Sequence, residues 1–142
     1  MEGVSLYTGT VEVSLAVGID IRDITSDLRR LAASAGIQEG CLNATVTGST
    51  GSLTTIEYEP GVVEDLRRAI DRMAPPGMEY EHELAWHDGN GHSHVGAALL
   101  GPSLSIPVRG GKLVLGTWQQ AVVINHDNRA RKRRVEVTVI GV

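Results

Sequence analysis

Apolar side chains recur at every second position in one stretch of this chain after another. Val11, Val13, Leu15 and Val17 alternate with smaller or polar residues, and so do Leu42, Ala44 and Val46, then Leu104, Ile106 and Val108, then Leu113 and Leu115. Successive side chains of an extended chain point to opposite faces, so each run reads as a strand with one apolar side. Leu53–Glu57 also reads as extended, and Trp118–Ile124 with Val135–Val139 reads as a last strand pair joined by a loop over residues 125–134. Gly110-Gly111 is a two-residue hairpin signal. The period changes twice. Ile24, Leu28, Leu31 and Ala35 share one helical face, with Asp20 or Asp23 to cap it and Gly36 to stop it. Pro60 opens a second helix with Val62, Val63, Leu66, Ile70 and Met73 inside and a Glu64–Arg68 pair outside, closed by Pro75-Pro76-Gly77. Residues 78–90 are polar and irregular, and residues 92–100 fit either a short helix or an extended piece.

Strands outnumber helices, and many connections are short enough to be hairpins. The chain therefore reads as one α+β domain over residues 1–142, with a largely antiparallel sheet or two packed sheets and two or three helices. Phe is absent and aromatic residues make up 4%, so Val, Ile, Leu and Ala must build the core. The net charge of −4 argues against nucleic-acid binding as the main role. A single cysteine, Cys41, excludes an intrachain disulfide and is expected to be an inert core thiol. Trp118 reads either as a pocket wall or as a buried aromatic, and burial is the expectation. Residues 1–17 lack the basic start and apolar run of a signal peptide, and no apolar run is long enough to cross a bilayer. A cytoplasmic protein is the expectation.

Chemistry-bearing residues are unevenly distributed. Four of the five histidines, His82, His87, His92 and His94, fall within thirteen residues, among Glu79, Glu81, Glu83 and Asp88. Imidazole is the commonest metal ligand. His92 and His94 can share one ion if the backbone is extended or just entering a helix, with His82 or His87 as third ligand and Glu57 a distant candidate. Solvated loop histidines are the alternative. His126 stands apart and reads as structural or surface-lying. The small-residue loop Gly48-Ser49-Thr50-Gly51 is either an anion cradle or a turn. The basic run Arg129–Arg134 reads mainly as a solvated hairpin tip and charged strand edge, with Arg133 and Arg134 as the candidates for holding phosphate.

Three stretches together carry a resemblance. Asp88-Gly89-Asn90-Gly91-His92-Ser93-His94, Ala97–Leu104 and Leu113-Val114-Leu115-Gly116-Thr117-Trp118-Gln119-Gln120 are similar to the YjbQ family, also called the secondary thiamine-phosphate synthase family. Ser49-Thr50, Glu57, Pro60, Tyr80-x-His82 and Arg133-Arg134 fit it too. The resemblance covers nearly the whole chain and is weakest before residue 40. It implies an α+β fold with sandwich-like sheets, a homotrimer, and a metal site built on His82, His92 and His94. It also implies a weak activity that joins the pyrimidine and thiazole halves of thiamine phosphate. One departure stands out: many members have a histidine where this chain has Gly48, and His87 is the candidate substitute.

In the enzyme reading that follows, Ser49 and Thr50 position phosphate and Arg133 or Arg134 offsets its charge. Glu57 and His82 are the candidate catalytic residues, Glu57 orienting a ligand or acting as base. Pyrophosphate chemistry usually runs on Mg²⁺, which prefers oxygen ligands, whereas a histidine-rich site favours Zn²⁺ or Mn²⁺. That tension brings in metal-assisted hydrolysis of a small phosphorylated metabolite as a second enzymatic reading. A non-catalytic metal- or ligand-binding protein is a third.

Overall fold

A computed structural model describes residues 3–142. Eight strands and four helices follow in the order β1 (Ser5–Leu15), β2 (Asp20–Asp23), α1 (Thr25–Ala35), β3 (Glu39–Val46), β4 (Gly51–Ile56), α2 (Pro60–Met73), α3 (His82–Trp86), α4 (Gly91–Leu100), β5 (Ser103–Arg109), β6 (Lys112–Leu113), β7 (Gln120–Asn125) and β8 (Arg131–Gly141). They form a five-stranded sheet, β1-β8-β3-β5-β6, and a three-stranded sheet, β2-β7-β4. Every pairing is antiparallel, so the α+β reading with packed antiparallel sheets holds.

The main core lies on the inner side of the larger sheet. Val11, Leu42, Ala44, Val108, Val135, Val137 and Val139 meet Leu28, Leu31 and Ala32 of α1 and Leu53, Ala121 and Val123 of the smaller sheet. The opposite face of the smaller sheet presents Ile21, Val122 and Ile124 to Ile70 of α2, with Leu100 of α4 packed alongside. β7 is thus apolar on both faces, which is why its sequence is a continuous run and not an alternation. α1 ends at Gly36 in left-handed backbone, φ 65°, as its position suggested. At its start the Asp23 carboxylate accepts from the Thr25 N–H at 2.9 Å. The Glu59 carboxylate caps α2 by accepting from the N–H groups of Gly61 and Val62. Gly110 and Gly111, at φ 58° and 75°, make the hairpin between β5 and β6.

Several expectations are corrected. β7 and β8 are not partners: β7 pairs with β2 and β4, while β8 pairs with β1 and β3. The chain between them changes sheet, held by its own side chains; Asn125 Nδ2 donates to the carbonyls of Ala16 and Arg129. Among the described residues there are four helices, one more than the two or three expected. The extra one, α3, buries no residue, so it leaves no periodic trace in the sequence. Trp118 is 73% exposed in the turn before β7, where it lines a hollow with Glu57 and Tyr58. Cys41 is half-buried on the outer side of β3, where its thiol meets Ser105 Oγ at 3.0 Å, and so is not a core thiol. Val17 and Met73 also lie exposed, beyond or off the faces assigned to them.

Candidate functional site

Where the chain changes sheet, it brings together the loop before β4, the start of α4 and the inner side of β8. Asp127 is the hub. Its buried carboxylate accepts from Thr50 Oγ1 at 2.9 Å, Asn90 Nδ2 at 3.1 Å, the Arg129 N–H at 3.0 Å and Arg131 Nε at 3.0 Å. Burial alone would raise its pKa. The bonds from Asn90 and Thr50 and the charge of Arg131 outweigh that and hold it below the usual carboxylate value. Asn90 ties the turn to α4, since its Oδ1 accepts from Ser93 Oγ and from the Asn128 N–H.

Arg133 lies against this hub and is only 6% exposed. Its Nη2 donates to Thr50 Oγ1 and to Asn125 Oδ1, both at 2.6 Å. Nε, by contrast, is buried with no hydrogen-bond partner. Nη1 faces Gly48, where a Cβ would stand 2.9 Å away, and a Cβ on Gly51 would stand 3.3 Å from Nε. The two glycines let the guanidinium pack close against the loop backbone, and Nε is left as a single buried donor. Burial presses the Arg133 pKa below its ordinary value, an effect opposed by Asp127. A cavity of about 420 Å³ opens here, with Ser49, Thr50, Arg133, His94 and Asp88 among its walls.

Strand alternation sorts the basic run. Lys132 and Arg134 point outward and pair with Glu12, and Arg134 with Glu136 too. Arg131 pairs with Asp127. Arg133 points in and has no carboxylate within ion-pair distance. Arg134 is therefore not in the site. β8 also runs between two neighbours and is not a sheet edge.

The histidines divide. His82 opens α3, and its ring stacks on that of His94 with centroids 4.6 Å apart and planes tilted by 46°. His82 Nδ1 is buried without a hydrogen-bond partner, 3.4 Å from Asp88 Oδ1 and 3.6 Å from Glu83 Oε1. His82, Glu83 and Asp88 are the described residues whose ligand atoms all come within 4.8 Å of one another; His92 and His94 do not join them. Glu83 is also committed elsewhere, accepting from the N–H groups of Gly91 and Gly89, and these bonds hold its pKa low. His92 and His94 occupy the first turn of α4, and His92 Nδ1 is also buried and unpartnered. His126 is 3% exposed, meets Ser52 Oγ at 2.7 Å and lies under Gly96 of α4. Burial, then the charges of Arg133 and His92, lower its pKa to about 4. It is a structural residue, not a surface one. His87 is exposed and ends α3 in left-handed backbone, φ 52°.

Glu57 does not reach this place. It follows the far end of β4 from Gly51, about 20 Å along an extended chain, and lines a different hollow with Trp118 and Tyr58. At Gly48 an imidazole would meet Arg133, so in this chain the guanidinium takes that side of the loop. The hub residues Asn90, Asn125 and Asp127 were not singled out from sequence. The signal available was Asn125-His126-Asp127, three polar residues that end a continuous apolar run and follow on from it, all of them buried.

The family model described as UPF0047 protein YjbQ-like matches residues 9–142. A UPF0047 protein of Methanothermobacter thermautotrophicus is 32% identical over 136 residues, 96% of this chain and 93% of that one. The UPF0047 protein YugU of Bacillus subtilis is 28% identical, covering 93% and 98%. Among solved structures, a YbjQ-like protein of unknown function from Sulfolobus solfataricus P2 superposes with a TM-score of 0.94 at 32% identity, covering 99% of this chain and 100% of that one. A hypothetical protein from Aeropyrum pernix K1 gives 0.89 at 32% identity, covering 96% and 99%. With this fold and a family match along almost all of its length, the chain belongs to the YjbQ/UPF0047 family.

Proposed function

We propose that this chain is a metal-site enzyme acting on a small phosphorylated compound. One observation carries the reading: His94, whose ring lies against that of His82, shares a cavity with Arg133, a buried arginine whose Nε has no hydrogen-bond partner and which makes no ion pair. Asp127 opposes the cost of burying this guanidinium only in part, and a bound phosphate would offset more of it. Arg133, Thr50 and Ser49 are the residues that would hold the anion.

His82 and Asp88 would hold the metal, with His94 beside them. The unpartnered imidazole nitrogen of His82 beside a carboxylate is a donor set that suits Zn²⁺ or Mn²⁺ better than Mg²⁺. A metal there would polarise a phosphoryl oxygen or bound water. Thiamine-phosphate synthesis, which the family resemblance brings, is the first activity to assay: the bond from the pyrimidine methylene carbon to pyrophosphate breaks as the thiazole nitrogen bonds to that carbon. The mixed nitrogen and oxygen donors favour a second reading, metal-assisted hydrolysis of a phosphate ester. Assembly as a homotrimer belongs to the same proposal; Leu84, Trp86 and Leu99, each more than half exposed, support burial against further copies.

Elemental analysis of the purified protein beside His82→Ala, with calorimetric titration of inorganic phosphate into the parent and Arg133→Met, tests this reading. Near-stoichiometric transition metal lost in His82→Ala, and phosphate affinity lost in Arg133→Met, are expected. A parent that takes up neither Zn²⁺, Mn²⁺ nor phosphate overturns it.

A further inference from the structure

The chain has no Phe, three Tyr and two Trp, so two of these rings in one place are a concentration. Trp118 and Tyr58 line one hollow of about 440 Å³ before β7, at the far end of β4 from the Arg133 cavity. The backbone that carries them is held. The Tyr58 hydroxyl donates to the Ile21 carbonyl at 3.1 Å, and its N–H donates to Gln120 Oε1 at 2.8 Å. The turn bearing Trp118 is closed by Gln119, whose Oε1 accepts from the Gly116 N–H at 3.0 Å. Both rings nevertheless stay exposed.

Three carboxylates, Asp23, Glu57 and Glu59, line the same hollow, and no Lys, Arg or His does. Two of them cap helices. Asp23 accepts from the Thr25 N–H at the start of α1, and Glu59 commits both oxygens to the Gly61 and Val62 N–H groups at the start of α2. Each helix start carries about half a positive charge, so the pair offsets about one of the three negative charges. Glu57 is left over. It is exposed, and its side chain makes no hydrogen bond or ion pair with the described residues.

We infer that this hollow binds an alkylated ammonium group, with its methyl groups against Trp118 and Tyr58 and its charge facing Glu57. Aromatic faces attract cations, and a nearby carboxylate adds to that attraction. A primary ammonium would exchange several hydrogen bonds with water for one free carboxylate. A fully alkylated ammonium has no N–H to satisfy and gives up no such bonds. A neutral apolar ligand would gain nothing from the negative charge of the hollow. The site is independent of the phosphate reading, since the two places lie at opposite ends of β4 and either can fail alone.

The test is NMR titration of the full-length, isotope-labelled protein with choline and with the uncharged alcohol in which carbon replaces its nitrogen, at constant ionic strength. Trp86 and Trp118 give the two indole N–H signals, told apart with Trp118→Ala. The Trp118 signal is expected to move saturably with choline while the Trp86 signal stays in place. Choline is expected to bind at least about tenfold tighter than the alcohol, equivalent to about 1.4 kcal/mol. Glu57→Gln is expected to bring that ratio close to one; Glu57 is exposed, so the change does not threaten folding. A Trp118 signal that ignores choline, answers the alcohol equally, or keeps its preference in Glu57→Gln overturns the inference. So does a Glu57→Gln protein whose oligomeric state changes while choline leaves Trp118 unmoved, which would assign the hollow to a contact between copies.

Discussion

The space between the five-stranded sheet and α1, and the space behind the loop before β4, are equally closed to water and are built on opposite plans. In the first, Leu28, Leu42, Val108, Val135 and Val139 are all fully buried and make only apolar contacts. In the second, Thr50, Ser52, Asn90, Asn125, His126, Asp127 and Arg133 are buried to nearly the same degree and are joined by hydrogen bonds. Non-directional burial fills the first and would tolerate many similar side chains. The second needs specific partners for each atom, because an unpaired buried polar group costs about 1–3 kcal/mol. Among the described residues, the buried side-chain polar atoms without a partner are His82 Nδ1, His92 Nδ1 and Arg133 Nε, and all three border this second region.

The contrast can be broken from either side. Leu42→Ala should give the largest loss of stability, about 2–5 kcal/mol in chemical denaturation, with phosphate affinity unchanged. Affinity falling in step with stability would show that the two regions are not separable. Titrating stability should separate them next. His126 has a folded pKa of about 4 against an ordinary value of 6.5. The unfolded chain therefore binds more protons between those limits, and stability rises with pH across that window, by up to about 3 kcal/mol. It is fully present above pH 6.5 and lost as pH falls towards 4. His126→Gln should flatten this slope, and an unchanged slope would assign it to other groups.

Gly48→Ala is expected to cost about 1–2 kcal/mol, since it forces a side chain into positive φ and against Arg133. Its effect on phosphate affinity should exceed its effect on stability; the reverse would mean that the loop matters only as a turn. Arg134→Ala should be the mildest change. Its pairs with Glu12 and Glu136 are solvent-exposed and contribute at most about 1 kcal/mol. Phosphate affinity that fell as far as in Arg133→Met would erase the difference between the two sides of β8.

Much of the apolar region was legible in the sequence, because strand and helix periods are written in which residues are apolar. Leu42, Ala44 and Val46 needed only that rule, and so did Leu28 and Leu31. The polar region was legible only in parts. The histidine cluster and the Ser49-Thr50 loop stand out by composition, but their joining to Asp127 and Arg133 depends on β7 and β8 lying in different sheets. Two neighbouring strands read more simply as a hairpin, and that reading leaves Arg133 and Arg134 together in its loop. It is the extension of β8 back to Arg131 that turns one in and the other out. Glu57 fits the family pattern in sequence but lies at the other end of its strand, a separation that residue spacing does not reveal.

The placement of β8 between β1 and β3 has a bearing on how the molecule comes into being. Ser5 faces Gly141 and Leu15 faces Arg131 across the same ladder, so the larger sheet is held together by contacts between distant parts of the chain. Such non-local pairing slows folding, because loop closure precedes the contacts that reward it. On a ribosome, β1 and β3 would emerge without the strand that joins them. Arg133 arrives with that strand, so the cavity it lines and the closed sheet are completed in one step.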